Sequence, residues 1–133
     1  MFTLQQMKAA HAKVKTGADF PRYIQEIKQL GLIRYELLVT NGSVIYHGAN
    51  GYRVEREGGY APLTIAERAS AVALRAAIAI HQQGQTDFLT FCRQAADAGV
   101  EKWEIDTQRM LCTYYSLDGI ASVEEPIPQG EYA

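Results

Sequence analysis

The sequence repeats itself at an interval of 68 positions, the separation of Asp19 and Asp87, and this repeat constrains the fold more than any other feature. The triplet Arg34-Tyr35-Glu36 falls on Lys102-Trp103-Glu104 at this interval. Any two units of the same architecture share helix caps and stop glycines, but such sharing does not explain this basic-aromatic-Glu triplet. We therefore expect a duplicated unit, with halves at about 1–57 and 62–126. The identical pairs include Asp19 with Asp87, Phe20 with Phe88, Gly31 with Gly99, Glu36 with Glu104, Tyr46 with Tyr114 and Gly51 with Gly119.

Four helices are predicted from caps and from the helical spacing of apolar residues. A capping box at Thr3 and Gln6 opens the first. A second capping box, at Thr64 and Glu67, opens an alanine-rich helix that is expected to be the most buried of the four. Glycines follow the predicted helices, which is typical of helix ends. The expected bounds are about 4–14, 20–30, 65–82 and 88–98.

Six strands are predicted from period-two alternation and turn residues. Asn41-Gly42 predicts a two-residue hairpin between the first two strands. Turns of even length would put Arg53 and Glu55 on the core side of the third strand, so a bulge near 48–51 is expected. The predicted fold is α+β in two layers: a tandem ααβββ repeat whose antiparallel sheet of about six strands carries the helices on one face. The expected strands are 33–39, 44–47, 52–56, 100–107, 110–117 and 120–124.

Composition limits the class of protein and its partners. With 47% apolar, 10% aromatic and 21% charged residues, the chain is expected to be a single globular domain over residues 1–133. The net charge of -2 comes from scattered charges, so we expect no nucleic-acid partner. No signal peptide or membrane span is recognisable, which favours the cytoplasm. Cys92 and Cys112 are expected to be reduced core residues, and no metal or cofactor is expected.

Four segments of the second half carry a resemblance to known proteins: Gly84-Gln85-Thr86-Asp87-Phe88, Thr90-Phe91-Cys92, Ala98-Gly99-Val100-Glu101-Lys102-Trp103 and Cys112-Thr113-Tyr114-Tyr115. Together they resemble an uncharacterised family of bacterial proteins of about this length, a domain of unknown function. Some members carry the label "phage envelope protein". The resemblance extends over nearly the whole chain and implies a shared fold, a phage or prophage connection and no established activity. Ser116 departs from the pattern, which has an aspartate after the Tyr-Tyr pair.

A polar cluster is expected on the sheet face that points away from the helices. A two-residue turn at Asn41-Gly42 would place Glu36 directly opposite His47, where the carboxylate would raise the pKa of the imidazole. The repeat adds Glu104 at the position of Glu36. A carboxylate beside an imidazole can act as a general base, and two facing carboxylates can share a proton. Candidate binding residues on the same face are Arg34, Lys102 and Tyr115.

Two functions remain open at this point. The first is a non-catalytic binding or protein-interaction module that uses the open sheet face, either as a monomer or as a homodimer. The second is a small enzyme with Glu36, His47 and Glu104 as acid-base residues. Alternating charges are also what a wetted sheet face carries, so the cluster does not decide between them. The aromatic residues Tyr46, Tyr52, Tyr114 and Tyr115 suggest a stacking platform, but about half of them, like Trp103, are expected to face the core.

Overall fold

The computed structural model describes residues 1–15 and 17–127. Within them the chain forms four α-helices and one antiparallel sheet of six strands, which confirms the predicted α+β fold and its tandem helix-helix-strand pattern. The helices are α1 Leu4–His11, α2 Phe20–Gln29, α3 Ala71–Gln82 and α4 Phe88–Asp97. The strands are β1 Arg34–Leu38, β2 Val44–His47, β3 Arg53–Arg56, β4 Val100–Asp106, β5 Leu111–Ser116 and β6 Ala121–Pro126.

The sheet is arranged symmetrically about its centre. The strand order is β3-β2-β1-β4-β5-β6, so two three-stranded meanders join through β1 and β4. These central strands are antiparallel, and Glu36 lies directly opposite Glu104. The same two residues coincide in the sequence repeat, so an approximate twofold axis passes between them. Helices α2 and α4 begin and end at positions separated by the repeat interval.

Helix α3 differs from its prediction at its beginning and in its burial. It begins at Ala71, where Ser70 Oγ accepts a hydrogen bond from the Ala73 backbone N–H, and the predicted capping box at Thr64 and Glu67 is wrong. The preceding segment is held extended because the N–H groups of residues 66 and 70 donate to the carbonyls of residues 96 and 98. These long-range bonds compete with helix formation. The helix is also not the most buried one, since Val72 is 84% exposed.

The first hairpin has a four-residue loop, not the predicted two-residue turn. Leu38 pairs with Ser43, and the Val39 N–H donates to the Glu101 carbonyl of the neighbouring meander. Val39 therefore continues toward β4 and cannot belong to the hairpin. The register between β1 and β2 shifts by two residues, which leaves every side chain on its predicted face.

The second hairpin corrects the facing of β3. Its loop is the three-residue turn Ala49–Gly51, an odd number, with Asn50 at φ 58° and Gly51 at φ 79°. Because the loop has an odd number of residues, Arg53 and Glu55 point away from the core. The sequence predicts a bulge near 48–51 with this effect. Arg56 lies opposite Val44 on the helix side, and Arg53 lies opposite His47 on the open side.

The core lies between the sheet and the helices, as predicted. Trp103 is 4% exposed and packs against Phe88, Phe91 and Tyr114. Cys92 and Cys112 are free and buried. Burial raises the pKa of the Cys92 thiol to about 11 and that of Cys112 to about 12, so both stay protonated.

Two equivalent glycines give a matched test of packing in the second half. Gly31 and Gly99 follow α2 and α4 with φ of 105° and 84°. A Cβ on Gly99 would lie 2.7 Å from the Cα of Ala69, whereas nothing lies within 4 Å of a Cβ on Gly31. Gly31→Ala should cost about 1–2 kcal/mol through backbone strain alone. Gly99→Ala should lower the free energy of unfolding clearly more, as measured by urea denaturation. Equal losses in the two variants would contradict the close packing of residues 68–69 against the end of α4.

Candidate functional site

The open face of the sheet carries an ion-pair network at its centre. Arg34 Nη1 lies 3.2 Å from Glu36 Oε1 and 3.4 Å from Glu104 Oε1. Lys102 Nζ lies 3.7 Å from Glu36 Oε1 and 5.4 Å from the ring centroid of Tyr115, its neighbour on β5. Five of the six residues chosen from the sequence therefore meet through charge contacts. The arrangement neutralises two facing carboxylates with two cations.

His47 is not the cross-strand partner of Glu36. It lies opposite Arg34, and Glu36 lies opposite Ile45, because the hairpin loop is two residues longer than predicted. The His47 Nε2 atom is buried and has no hydrogen-bond partner among the residues that the structure describes. Burial, and next the Arg34 charge, lower the His47 pKa, so the predicted upward shift is wrong in direction.

A large cavity lies on the opposite face, between the sheet and the helices. Its volume is about 760 Å³. Sheet residues such as Tyr35 and Trp103 form its floor, and helix residues such as Tyr23 and Phe88 form its roof. Glu36, His47 and Glu104 do not line it. The sheet separates the two faces, so the cavity and the ion-pair network are independent sites.

The helix-facing side of the sheet, which includes the floor of the cavity, carries two rows of side chains related by the approximate twofold axis. The strand register places one residue of each strand in each row. Under the repeat, Tyr46 corresponds to Tyr114, Tyr35 to Trp103 and Val44 to Cys112. The first row is Val54, Tyr46, Tyr35, Ile105, Cys112 and Glu125, and the second is Arg56, Val44, Leu37, Trp103, Tyr114 and Val123.

Tyrosine hydroxyls are among the polar groups of this aromatic cavity, together with charged residues such as Arg56 and Glu125. Burial raises the pKa of Tyr23, Tyr35 and Tyr114 well above the ordinary value of 10.0, so these hydroxyls remain protonated hydrogen-bond donors. Tyr23 interacts with Tyr46 through the hydroxyl groups. No hydrogen bond from the described part of the chain reaches the Tyr35 hydroxyl, although Tyr35 is only 4% exposed and lines the cavity. This hydroxyl can therefore form a hydrogen bond with a group that occupies the cavity.

Two histidines stand at the cavity wall. The His11 ring is edge-on to Tyr23 at 5.5 Å and to Phe88 at 5.1 Å between ring centroids. The His81 ring stacks on Phe91 at 4.5 Å, and its Nδ1 is 2.9 Å from the Thr86 hydroxyl oxygen. Burial lowers the pKa of both histidines, so both are neutral at neutral pH and extend the aromatic wall.

Sequence reasoning recognised that aromatic residues face the core but missed the cavity. The available signal was chemical: tyrosine occupies core-facing positions 35, 46 and 114, where leucine or isoleucine would fill the space without a buried hydroxyl. Several tyrosines at core-facing positions indicate that their buried hydroxyl groups have polar partners, such as water or a ligand, inside the core. The size of the cavity depends on the position of the helices relative to the sheet, and local sequence patterns do not predict that position.

The surroundings of His47 predict opposite responses to two substitutions. The His47 pKa should lie below 6.5 in an NMR titration. Arg34→Gln should raise it, because a repelling charge is removed, and Glu36→Gln should lower it further, because an attracting charge is removed. His81, which contacts neither residue, serves as the internal control. A His47 pKa above 6.5, or a rise in the Glu36→Gln variant, would contradict this description.

Within residues 1–15 and 17–127 no helix combines the length and apolar character needed to cross a membrane. The same residues contain no group of three or more His, Cys, Asp or Glu side chains placed to hold a metal ion.

Comparison with known proteins supports the resemblance read from the sequence. No curated protein matches the chain significantly. The sequence profile of a family described as "Protein of unknown function (DUF1398)" matches residues 8–125, from within α1 to within β6. The match covers both meanders and most of the helical layer, including the residues that form the cavity floor. The chain therefore belongs to the DUF1398 family.

Proposed function

We propose that this protein is a non-catalytic binding module that holds a small, largely apolar molecule in the cavity between its sheet and its helices. The observation that carries the proposal is the cavity itself, about 760 Å³ in volume and walled by aromatic rings. Ligand pockets in proteins commonly measure about 300–1,000 Å³. The binding role expected from the sequence is kept, but its location moves from the open face of the sheet to the cavity.

The size of the cavity exceeds what imperfect packing produces. Protein interiors hold few voids larger than a water molecule. Exposed residues such as Gly59 and Gln82 line this space together with buried ones, so it is open to solvent and holds either water or a ligand. Walls made of aromatic rings offer water few hydrogen bonds and favour an apolar ligand.

The polar groups of the cavity suit orientation of a ligand. The free Tyr35 hydroxyl can donate one hydrogen bond to a ligand acceptor, and Trp103 beside it offers a flat ring for stacking. A few polar groups among apolar walls are the usual composition of small-molecule sites. The ligand expected from these walls has an apolar or aromatic body and at least one hydrogen-bond acceptor.

The catalytic alternative has weaker support. Its residues Glu36 and Glu104 lie on the open face, and ion pairs with Arg34 and Lys102 occupy both carboxylates. His47, the third residue of this alternative, lies opposite Arg34 on the neighbouring strand and not opposite Glu36. Neither Glu36, His47 nor Glu104 lines the cavity described above. The open face can still meet a protein partner, and the phage connection remains a prediction of the resemblance.

The single tryptophan of the chain allows a direct test of binding. Trp103 lines the cavity, so a bound apolar compound should change its fluorescence saturably and raise the thermal unfolding midpoint. Val44→Phe should fill part of the cavity and weaken binding. Ile45→Phe, the next residue of β2, points to the open face and is the matched control. If a set of one-ring and two-ring aromatic compounds produces no saturable signal, or if both variants bind equally, the proposal is wrong.

Removing a single hydroxyl separates binding from stability. Tyr35→Phe should leave the free energy of unfolding unchanged within about 0.5 kcal/mol, since this hydroxyl has no partner to lose. It should also weaken ligands that carry an acceptor. Tyr52→Phe is the control: its hydroxyl donates to the Phe2 carbonyl at 2.5 Å outside the cavity. That variant should lose about 1 kcal/mol of stability and keep ligand affinity. A clear stability loss in Tyr35→Phe would show that the hydroxyl serves the fold.

A further inference from the structure

We infer that the ligand of this cavity is an elongated zwitterion, with an anionic group at Arg56, a cationic group at Glu125 and an apolar body between them. This inference rests on the proposed binding function and adds the chemical class of the ligand. It follows from the placement, the isolation and the separation of these two half-buried charges. Lys15 and Asp87 also line the cavity, but both are exposed to solvent.

The two charges occupy equivalent corners of a symmetric floor. Arg56 lies opposite Val44 on β3, and Glu125 lies opposite Cys112 on β6. Val44 and Cys112 coincide in the repeat, so Arg56 and Glu125 stand at matching ends of the two rows. Both line the cavity. The symmetric sheet thus carries a positive charge at one end of the cavity and a negative charge at the other. A ligand with two different ends would therefore bind in one orientation.

Arg56 forms no ion pair with a carboxylate in the part of the chain that the structure describes. It is half-buried, and its charge acts on His11, Tyr23 and Tyr46. None of the carboxylates in residues 1–15 and 17–127 lies at ion-pair distance from it. Its neighbour on the other face, Arg53, pairs with Glu55. Lys8, Glu55 and Glu57 lie around Arg56 on its outer side. On the cavity side its neighbours are aromatic rings, and a half-buried guanidinium in this position favours an anionic ligand group.

Glu125 is the corresponding anion. A register shift between Tyr114 and Tyr115 turns this residue inward, and Glu124 stays outside, 3.5 Å from the Thr113 hydroxyl. The Glu125 charge adds to burial in raising the pKa of Cys112 and Tyr114. In the described part of the chain no Lys, Arg or His lies at ion-pair distance from Glu125. A carboxylate in this position favours an ammonium or guanidinium group.

The separation of the charges sets the shape of the ligand. Strands β3 and β6 are the two edges of the sheet and lie five strand spacings apart, about 24 Å at roughly 4.8 Å for each spacing. Both side chains extend inward and shorten this span. A compact zwitterion, such as a free α-amino acid, carries its charges too close together to reach both corners. An elongated zwitterion with an apolar middle contacts both and covers the aromatic floor.

The test uses ω-amino carboxylic acids of increasing chain length, each compared with the carboxylic acid and the amine of the same length. Binding is followed by Trp103 fluorescence and by the thermal unfolding midpoint. At one chain length the zwitterion should bind at least about tenfold more tightly than either singly charged compound, as expected for an added charge-assisted hydrogen bond. Arg56→Gln should weaken the acid and the zwitterion by at least about tenfold and spare the amine. Glu125→Gln should weaken the amine and the zwitterion and spare the acid.

Matched controls lie on the same two strands. Arg53→Gln and Glu124→Gln remove the same charges from the outward-facing neighbours and should leave all affinities unchanged. Far-UV circular dichroism and urea denaturation confirm that each variant folds. If acid, amine and zwitterion bind equally, or if the control variants lose as much affinity as the cavity variants, this inference is overturned and the apolar binding site stands. If neither these probes nor neutral aromatic compounds bind, the proposed function fails with it.

Discussion

The pairing of β1 with β4 is the constraint on which the rest of the structure depends. It joins two meanders into one sheet and places Glu36 directly opposite Glu104. Two carboxylates at a cross-strand position repel each other and would destabilise the centre of the sheet. Arg34 contacts both carboxylates, and Lys102 contacts Glu36. The ion-pair network therefore has a structural explanation: it permits the strand pairing that builds the frame of the cavity.

This pairing also explains why the basic-aromatic-Glu triplet occurs twice. In each triplet the outer residues face the open side, where they neutralise each other. The middle residue, Tyr35 or Trp103, faces the helices and forms the centre of the cavity floor. One short segment thus supplies both the contact that holds the halves together and the surface that we propose contacts a ligand. The two halves carry different side chains at equivalent positions of the cavity: Tyr35 corresponds to Trp103, and Arg56 corresponds to Glu125. A bound ligand would contact these differences.

The elements that depend on local sequence were predictable, and those that depend on distant contacts were not. Asp87 caps α4. Trp103 is buried under the helices and Glu104 is half-buried on the open face, on the two sides that alternation predicted. The first hairpin was misjudged because Val39 bonds to Glu101, far away in the chain. The beginning of α3 was misjudged for the same physical reason, since backbone bonds to residues 96 and 98 hold the preceding segment. Errors of two residues in register preserved the faces of the strands, so the polar cluster was found although the predicted partner of His47 was wrong.

The cavity lay beyond prediction because it depends on how the helices are divided. Helix α1 packs on α2, and α3 packs on α4, so each half carries its own pair of helices. The ring contact between His11 of α1 and Phe88 of α4 connects the two pairs above the sheet.

The charge of His11 affects this contact between the helix pairs. Burial, and next the Arg56 charge, lower the His11 pKa, because a proton there would be poorly hydrated and repelled by the guanidinium. The unfolded chain then binds this proton more readily than the folded chain. The stability that comes from neutral His11 is complete above the unfolded pKa of about 6.5 and is lost as pH falls below it toward the folded value. Because Arg56 contributes to this shift, an anion bound at Arg56 would offset the repulsion, so the charge state of the contact between the helix pairs is coupled to what occupies the cavity.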